Sequence, residues 1–290
     1  IKKNKHTNEY EIDLYPEISH HHHIYPGLQV HCIETKSKSN IVLVYFPVEG
    51  AHYTIIFSHG NATDIGAMYG HYALLATALK VNVIGYDYTG YGPLGGTATE
   101  RQVYLDIDAV YNWCSINVTS DPGSRVILYG QSVGSGPSCY LASRQPVAGL
   151  ILHSPILSGV RVLTSSRLLA CCDIFPNIER IKKVRCPVFI IHGLNDNEVG
   201  FYHGETLHNL VDSRCRFDPW WVPGRGHNDV LQGNEREYLR RLHQFIEHLR
   251  THMPISSSRS VLESTGSYIM IFVKPLGVTT STRASGSTAM

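Results

Sequence analysis

Residues 128 to 136 read LYGQSVGSG and place Ser132 between Gly130 and Gly134. The preceding RVILYG is a short β-branched run typical of a buried strand, and the following VGSGPSCYLAS is rich in small residues that suit a closely packed helix start. Because glycine has no Cβ, glycines on both sides of a tight strand-to-helix turn let the two elements approach closely. The stretch therefore predicts a sharp turn that presents the hydroxyl of Ser132.

Around this turn, short apolar runs alternate with stretches of helical character. Each run closes in Gly, Ser, His, Asp or Asn; the runs are YTIIFSHGN, VNVIGYDYTGYG, RVILYGQS, GLILHSP and PVFIIHGLND. The helical stretches lie at roughly residues 66–80, 99–116, 133–145, 158–170 and 201–212. Continuous apolar strands linked by helices are typical of a parallel sheet buried on both faces. We therefore predict an α/β fold with a mostly parallel central sheet, helices on both faces and little or no cap.

The chain divides into three parts by composition. Residues 1–27 are polar and include the run His20–His23, which we interpret as a solvated linker because it has no acidic or cysteine partner nearby. Residues 28–252 form the predicted folded domain, which opens with an antiparallel hairpin of LQVHCIETK and NIVLVYF and ends in an amphipathic helix. Residues 253–290 are rich in Ser, Thr and Gly and are predicted to be a disordered tail, with YIMIFV as an isolated apolar patch.

Charge, cysteine content and hydropathy bear on whether the protein binds nucleic acid, holds disulfides or zinc, or spans a membrane. The formal net charge is +1, which does not favour nucleic acid as a partner. None of the seven cysteines forms a C-x-x-C pair, so neither a disulfide framework nor a zinc site is indicated, and a reducing, cytoplasmic setting is expected. No apolar stretch approaches 18 residues, the length expected of a transmembrane helix. Attachment to a membrane through a lipid anchor outside the given sequence is left as an open alternative.

A nucleophilic serine needs a base, and the base needs an acid to orient it. A G-x-S-x-G turn between strand and helix is the nucleophile elbow of the α/β-hydrolase fold, in which the acid follows the serine in the chain and the histidine comes last. Asp196 and Glu198 follow the strand PVFIIHG, and Asp196 is favoured because it comes sooner after the strand end. Asp173 is the main rival acid. Only about 64 residues separate Ser132 from Asp196, which leaves little room for a large cap.

For the base, chain order leaves six histidines: His203, His208, His227, His243, His248 and His252. The first two lie in a predicted helix, His243 and His248 lie in the last helix, and His252 follows it. His227 alone lies on a glycine-rich loop after a strand, in PGRGHND, where an imidazole can reach the elbow. We therefore predict His227 as the base.

Acyl transfer also needs two N–H groups for the developing oxyanion. The backbone N–H of Val133, directly after the serine, is one candidate. The second is the N–H of Asn61 in FSHGNATD, the loop after an early strand. We expect His59 to shape this loop rather than act as the base, and Asp64 to hold the loop or cap the next helix. No metal or organic cofactor is predicted.

Several motifs together resemble one branch of these enzymes. They are FSHGNATDIG, YDYTGYG, LYGQSVGS, LHSPILSGVRV, FPNIERI, PVFIIHGLND and GRGHND. The combination resembles the α/β-hydrolase domain-containing protein 17 family, serine hydrolases that remove palmitate from protein cysteines, and it extends from about Tyr53 to Leu249. The resemblance implies a triad of Ser132, Asp196 and His227, S-acylated proteins as substrates and peripheral attachment to the cytosolic face of membranes. Two departures stand out: the family's N-terminal cysteine cluster is not visible, and the loop NEVGFYHG differs in places.

Three alternatives share parts of this pattern. A carboxylesterase or lipase uses the same chemistry on simple esters. A serine aminopeptidase fits less well, because no acidic pair suited to a substrate α-amine stands out. A non-catalytic binding protein on the same scaffold is also possible, although the intact Ser, Asp and His argue against it.

Overall fold

The described part of the chain folds around one large sheet. The structure is a computed structural model that describes residues 2–3, 10–11, 25–163 and 173–252. Its sheet strands are β3 (Gln29–Glu34), β4 (Asn40–Phe46), β5 (Thr54–Ser58), β6 (Asn82–Tyr86), β7 (Val126–Gln131), β8 (Gly149–His153), β9 (Val188–Gly193) and β10 (Trp220–Val222). Two short segments near the N-terminus, β1 (Lys2–Lys3) and β2 (Tyr10–Glu11), pair with each other in antiparallel fashion.

The helices alternate with these strands, as the sequence predicts. They are α1 (Tyr69–Leu79), α2 (Glu100–Asn117), α3 (Pro122–Arg125), α4 (Ser135–Ala142), α5 (Gly159–Leu163), α6 (Asn177–Arg180), α7 (Tyr202–Leu210) and α8 (Glu235–His252). Short 3₁₀ turns cover Ser132–Gly134, Ile181–Lys183 and Ser213–Cys215. The predicted helix at 158–170 is described only as α5, because residues 164–172 lie outside the described part of the chain.

The eight strands are ordered β10-β9-β8-β7-β5-β6-β4-β3 across the sheet. From β10 to β6 every neighbouring pair is parallel, whereas β3 pairs with β4, and β4 with β6, in antiparallel fashion. The predicted hairpin and mostly parallel sheet are therefore confirmed. Because β5 and β7 lie side by side, the loop after β5 and the elbow after β7 meet at the carboxyl edge of the sheet, where ligands bind in open α/β folds.

Helices cover both faces of the sheet. Alternate residues of a strand point to opposite faces, and in β7 Leu128 joins one buried apolar cluster while Tyr129 joins the other. The first cluster includes side chains of α2 and α4, and the second includes side chains of α1 and α8. Burial on both faces accounts for the uninterrupted apolar runs, since all residues of β5, β6, β8 and β9 are buried.

The predictions for the two ends of the chain concern mostly residues outside the described ranges. The histidine run His20–His23 and the Ser/Thr-rich tail 253–290 lie outside the described residues. The domain prediction 28–252 spans all the strands of the large sheet and all the helices above.

Candidate active site

The turn after β7 has the backbone of a nucleophile elbow. Ser132 has a φ of 51°, in the left-handed region that non-glycine residues seldom adopt. A Cβ on Gly130 would lie 2.6 Å from the carbonyl oxygen of Gly134, and a Cβ on Gly134 would lie 2.0 Å from the carbonyl oxygen of Ser58 in β5. Both distances are too short for any side chain. The two glycines therefore allow the helix after Ser132 to begin directly against the sheet.

Ser132, His227 and Asp196 are joined by hydrogen bonds in that order. The Oγ of Ser132 lies 2.9 Å from Nε2 of His227, and Nδ1 of His227 lies 2.7 Å from Oδ2 of Asp196. A carboxylate can only accept, so Nδ1 of His227 carries the proton and its N–H donates a hydrogen bond to Asp196. The lone pair of Nε2 is thereby left to accept the hydrogen bond from the hydroxyl of Ser132, which is the tautomer that a general base requires.

Asp196 is buried and surrounded by donors. Its Oδ1 accepts hydrogen bonds from the backbone N–H groups of Glu198 at 3.0 Å and Val199 at 2.8 Å. Burial alone raises the pKa of this carboxyl, but hydrogen bonds from His192, His227 and the Val199 N–H outweigh it and hold the pKa well below its usual range. Asp196 is therefore ionised at neutral pH, as an acid that orients His227 must be.

His192 is a neighbour of Asp196 that the sequence interpretation passed over. This fully buried residue of β9 donates from Nε2 to the carbonyl oxygen of Val199 at 2.8 Å, and the same nitrogen lies 3.3 Å from Oδ2 of Asp196. A Cβ on Gly204 of α7 would lie 2.5 Å from Nδ1 of His192, so the helix backbone packs directly on the ring. This contact arises from tertiary packing, and no pattern around His192 in the sequence indicates it.

The loop that carries His227 is fixed to the loop that carries Asp196. The carbonyl oxygen of Arg225 accepts from the N–H of Asn195 at 2.8 Å, and a Cβ on Gly193 would lie only 2.3 Å from that oxygen. At the other side of the turn, the N–H of Gly226 donates to Asp229 Oδ1 at 2.6 Å. The close approach at Gly193 therefore brings the base loop onto the end of β9.

The predicted oxyanion residues lie at the same site. Asn61 and Val133 both line a cavity together with Ser132 and His227. The side-chain oxygen of Asn61 accepts a hydrogen bond from the hydroxyl of Tyr91 at 2.8 Å, which fixes the loop after β5. The ring of His59 is buried in this loop and lies 2.8 Å from the carbonyl oxygen of Gly60 through Nδ1. Its contacts are those of a loop-shaping residue, as expected.

The rival residues lie elsewhere. Oδ1 of Asp173 accepts from the N–H of Val160 at the start of α5, whereas the carboxylate bonded to His227 is that of Asp196. Asp64 accepts from the N–H of Ala67 and so holds a turn, whereas the alternative of a helix cap is wrong because Met68 occupies the cap position of α1 without a side-chain bond. His203 accepts from the Leu157 N–H in the core, and His208 lies 3.3 Å from the carbonyl oxygen of Phe217.

Two cavities meet at the catalytic residues. The larger one, which we call the apolar cavity, has a volume of about 510 Å³. This volume lies in the usual range for small-molecule sites. Apolar side chains make up most of its wall, among them Tyr88, Tyr91, Val103, Val133, Ile156, Val162, Ile174, Phe175 and Val199. Glu100 also reaches this wall, but its carboxylate accepts from the N–H of Phe175 at 2.7 Å and from the hydroxyl of Tyr104.

The second cavity, which we call the polar cavity, has a volume of about 470 Å³. Its lining consists of Gly60, Asn61, Ala62, Thr63, Met68, Gln131, Ser132, Glu198, His227 and Asn228. Four residues line both cavities, namely Asn61, Ser132, Glu198 and His227. The hydroxyl of Ser132 is thus reached from an apolar side and from a polar side.

The fold is shared with known hydrolases. The esterase Pf2001 of Pyrococcus furiosus superimposes with a TM-score of 0.63 at 18% identity, over 76% of this chain and 92% of that chain. An alpha-beta serine hydrolase homologue from Coxiella burnetii gives a TM-score of 0.59 at 18% identity, over 75% of this chain and 97% of that chain. At this level of identity the similarity establishes the α/β-hydrolase fold, and it confirms the predicted fold class.

Relatives in sequence identify the family within this fold. Alpha/beta hydrolase domain-containing protein 17B of Homo sapiens is 42% identical over 224 residues, which cover 75% of this chain and 75% of that protein. The chain belongs to the α/β-hydrolase domain-containing protein 17 family. Protein 17C of Homo sapiens is 43% identical over 68% of this chain, and aho-3 of Caenorhabditis elegans is 41% identical over 74% of it. The resemblance noted from the motifs is therefore confirmed.

The chain spans only part of the length of these relatives. The chain spans 59% of human protein 17C and 64% of aho-3. No known family profile matches the chain. Within residues 25–163 and 173–252, none of the helices is long and apolar enough to cross a bilayer.

Proposed function

We propose that this member of the 17 family is a serine hydrolase that cleaves acyl thioesters and releases fatty acyl groups from S-acylated cysteines of proteins. The observation that carries the proposal is the continuous hydrogen-bonded chain from Ser132 through His227 to Asp196, at 2.9 and 2.7 Å, at the edge of the apolar cavity. A serine hydroxyl is a poor nucleophile unless a base removes its proton, and this arrangement supplies one.

In the first half of the reaction, His227 takes the proton of Ser132 as the oxygen attacks the acyl carbonyl carbon. The N–H groups of Val133 and Asn61 are the proposed donors to the resulting oxyanion, an interaction typically worth about 3 kcal/mol per donor. The imidazolium of His227, stabilised by ionised Asp196, then returns the proton to the departing thiolate, and an acyl-enzyme on Ser132 remains.

In the second half, water replaces the thiol. His227 removes a proton from that water as its oxygen attacks the acyl-enzyme carbonyl, and the same donors receive the oxyanion. Collapse of this intermediate releases the fatty acid and returns the proton to Ser132. The reaction uses side chains and water alone, and we propose that it needs no cofactor.

Three considerations support an acyl thioester of a protein as the substrate. The apolar cavity suits a hydrocarbon chain, since apolar side chains line most of it. The family resemblance in the motifs implies palmitate removal from cysteines. The triad also lies at the open carboxyl edge of the sheet, where a cysteine on a protein surface can approach. We accordingly propose a cytoplasmic protein that works peripherally at the cytosolic face of membranes.

Two experiments test the proposal. A fluorophosphonate probe should label the wild-type protein and leave Ser132→Ala unlabelled; equal labelling of both would refute Ser132 as the nucleophile. Incubation with a palmitoylated protein should then release palmitate in a Ser132-dependent manner. Rapid hydrolysis of simple esters without any release of palmitate would instead assign the protein as a carboxylesterase.

A further inference from the structure

We propose that the polar cavity receives the leaving-group side of the substrate and that Glu198 makes this side selective for a cationic leaving group. The inference rests on the proposed function, because it assigns the second half of the substrate once the acyl group occupies the apolar cavity. It concerns a residue that takes no part in the acyl-transfer chemistry derived above.

The geometry separates the two halves of a substrate. An ester or thioester extends in two directions from its carbonyl carbon, and this carbon must reach the hydroxyl of Ser132. Ser132 and His227 line both cavities, so an acyl group in one cavity directs the leaving group into the other. His227 must hand its proton to the leaving group, and its neighbour Asn228 lines the polar cavity but not the apolar one. The polar cavity is therefore the leaving-group side.

The charge in this cavity is negative. Of the described residues that line it, Glu198 is the carboxylate, His227 is the catalytic base, and the others are uncharged. Lysine and arginine side chains do not contribute to the described lining. A positive group on the substrate therefore meets an attractive potential here, and a negative group meets a repulsive one.

Glu198 is held at this position from two sides. Its Oε1 accepts a hydrogen bond from Nδ2 of Asn228 at 2.7 Å. That donor is a neutral amide, so it orients the carboxylate without cancelling its charge. The backbone N–H of Glu198 donates to Oδ1 of Asp196 at 3.0 Å, which ties the residue to the catalytic acid. The charge is therefore held in the cavity wall that Glu198 shares with Ser132 and His227, although the side chain is exposed to solvent.

The chemistry identifies a class of leaving group. It is a thiol or alcohol that carries a cation a few atoms from the sulfur or oxygen. Two sources provide such a group: a protein cysteine flanked by lysine or arginine, and a small cationic thiol or alcohol. The experiment below contains one arm for each source.

The first arm compares acetylthiocholine with 3,3-dimethylbutyl thioacetate, which replaces the quaternary nitrogen by carbon and keeps the shape. We expect the wild-type kcat/KM to favour the cationic substrate by roughly two- to fivefold, the range of an exposed ion pair. The preference should shrink as salt is added. Glu198→Gln should bring the ratio of the two kcat/KM values near one. The control Glu205→Gln removes the same charge from α7, outside both cavities, and should keep the wild-type ratio.

The second arm uses S-acylated peptides that differ only in having lysine or norleucine next to the cysteine. A lysine preference that depends on Glu198 supports the proposal with a protein as the source. A preference confined to acetylthiocholine supports it with a small cation as the source. Equal ratios for wild type and Glu198→Gln in both arms would overturn the inference while leaving the proposed function intact. If the wild type hydrolyses none of these substrates, the proposed function fails and the inference fails with it.

Discussion

His192 Nε2 lies 3.3 Å from Oδ2 of Asp196, the same oxygen that accepts the hydrogen bond from His227. The same Nε2 of His192 donates a hydrogen bond to the carbonyl oxygen of Val199 at 2.8 Å. The ring of His192 therefore joins the end of β9 to the loop that carries Asp196. The catalytic acid is thus held by β9 from behind and by two backbone N–H groups from the side. This arrangement makes His192 a positioning residue for the Asp196–His227 pair.

Loss of the His192 ring should therefore slow catalysis without weakening substrate binding. We expect His192→Ala to lower kcat roughly ten- to hundredfold with little change in KM, because a small misplacement of catalytic groups is costly. His192→Gln can place an amide donor near the same point and should recover part of kcat. His208→Ala is the control, since His208 makes a similar contact to the Phe217 carbonyl away from the site. Equal loss for the Ala and Gln variants would point to a structural role alone.

Removing the charge of Asp196 should lower kcat far more than removing the charge of the rival acid Asp173. Asp196→Asn removes the acceptor that sets the His227 tautomer, and in other triads this change lowers kcat by about 10⁴-fold. Asp173→Asn keeps an oxygen for the Val160 N–H and should leave ester hydrolysis near wild type. Steady-state kinetics on one activated ester measure both variants. A large loss in Asp173→Asn and a small one in Asp196→Asn would reverse the assignment of the acid.

The elbow glycines should be essential for folding. A Cβ at residue 134 would lie 2.0 Å from the carbonyl oxygen of Ser58, the last residue of β5, so Gly134→Ala must displace the strand end or the helix. We expect it to lower the free energy of unfolding by about 3 kcal/mol or more, as severe overpacking does. Gly70→Ala in α1 meets nothing within 4 Å and should raise the free energy of unfolding by up to about 1 kcal/mol. Urea unfolding followed by circular dichroism measures both changes, and an unchanged midpoint for Gly134→Ala would contradict the geometry.

Much of this site was predictable from local sequence features. Ser132 lies in a short motif with a strand pattern before it and a helix pattern after it. Of the six candidate histidines toward the C-terminus, His227 is the one on a glycine-rich loop after a strand. Both therefore depend on patterns within a few residues. Asp196 required the further assumption of chain order, and the structure brings it within 2.7 Å of His227.

The remaining features depend on how the loops fold back. Nothing near His192 in the sequence indicates that its ring turns toward Asp196, because that contact arises where α7 packs on the ring through Gly204. The sequence shows Glu198 only as a second acid in the same loop; the structure shows that it lines both cavities and accepts a hydrogen bond from Asn228. Glu100 begins a helix far from the elbow and reaches the apolar cavity through tertiary packing.

Two buried histidines should make stability depend on pH. Burial lowers the pKa of His153 to about 3, with a further contribution from the imidazoles of His71, His227 and His192, and burial lowers the pKa of His203 to about 4. Between these values and the unfolded value of about 6.5 the unfolded chain binds more protons, so the free energy of unfolding falls as the pH is lowered through that window. The slope is at most about 1.4 kcal/mol per pH unit for each group.

Urea unfolding at a series of pH values between neutral and acid checks this expectation. In the wild type, Nδ1 of His153 lies 3.0 Å from the hydroxyl of Tyr129. The variant His153→Gln keeps a polar group near this hydroxyl and removes the titrating imidazole. The variant should show a shallower fall below pH 6.5. Parallel curves for wild type and variant would contradict a contribution from His153.

The side of the site that holds the acyl chain can be tested by filling the apolar cavity. Val162 lines this cavity and is 37% exposed, so a larger side chain there can be accommodated without disturbing the core. We expect Val162→Trp to reduce kcat/KM for p-nitrophenyl decanoate at least about tenfold more than for p-nitrophenyl acetate, because only the long chain needs the filled volume and each buried methylene contributes roughly 0.8 kcal/mol. Ile116→Trp, at an 81% exposed position on α2, should affect neither substrate. Equal losses for the two esters in Val162→Trp would place the acyl chain elsewhere, and they would remove the basis for assigning the polar cavity to the leaving group.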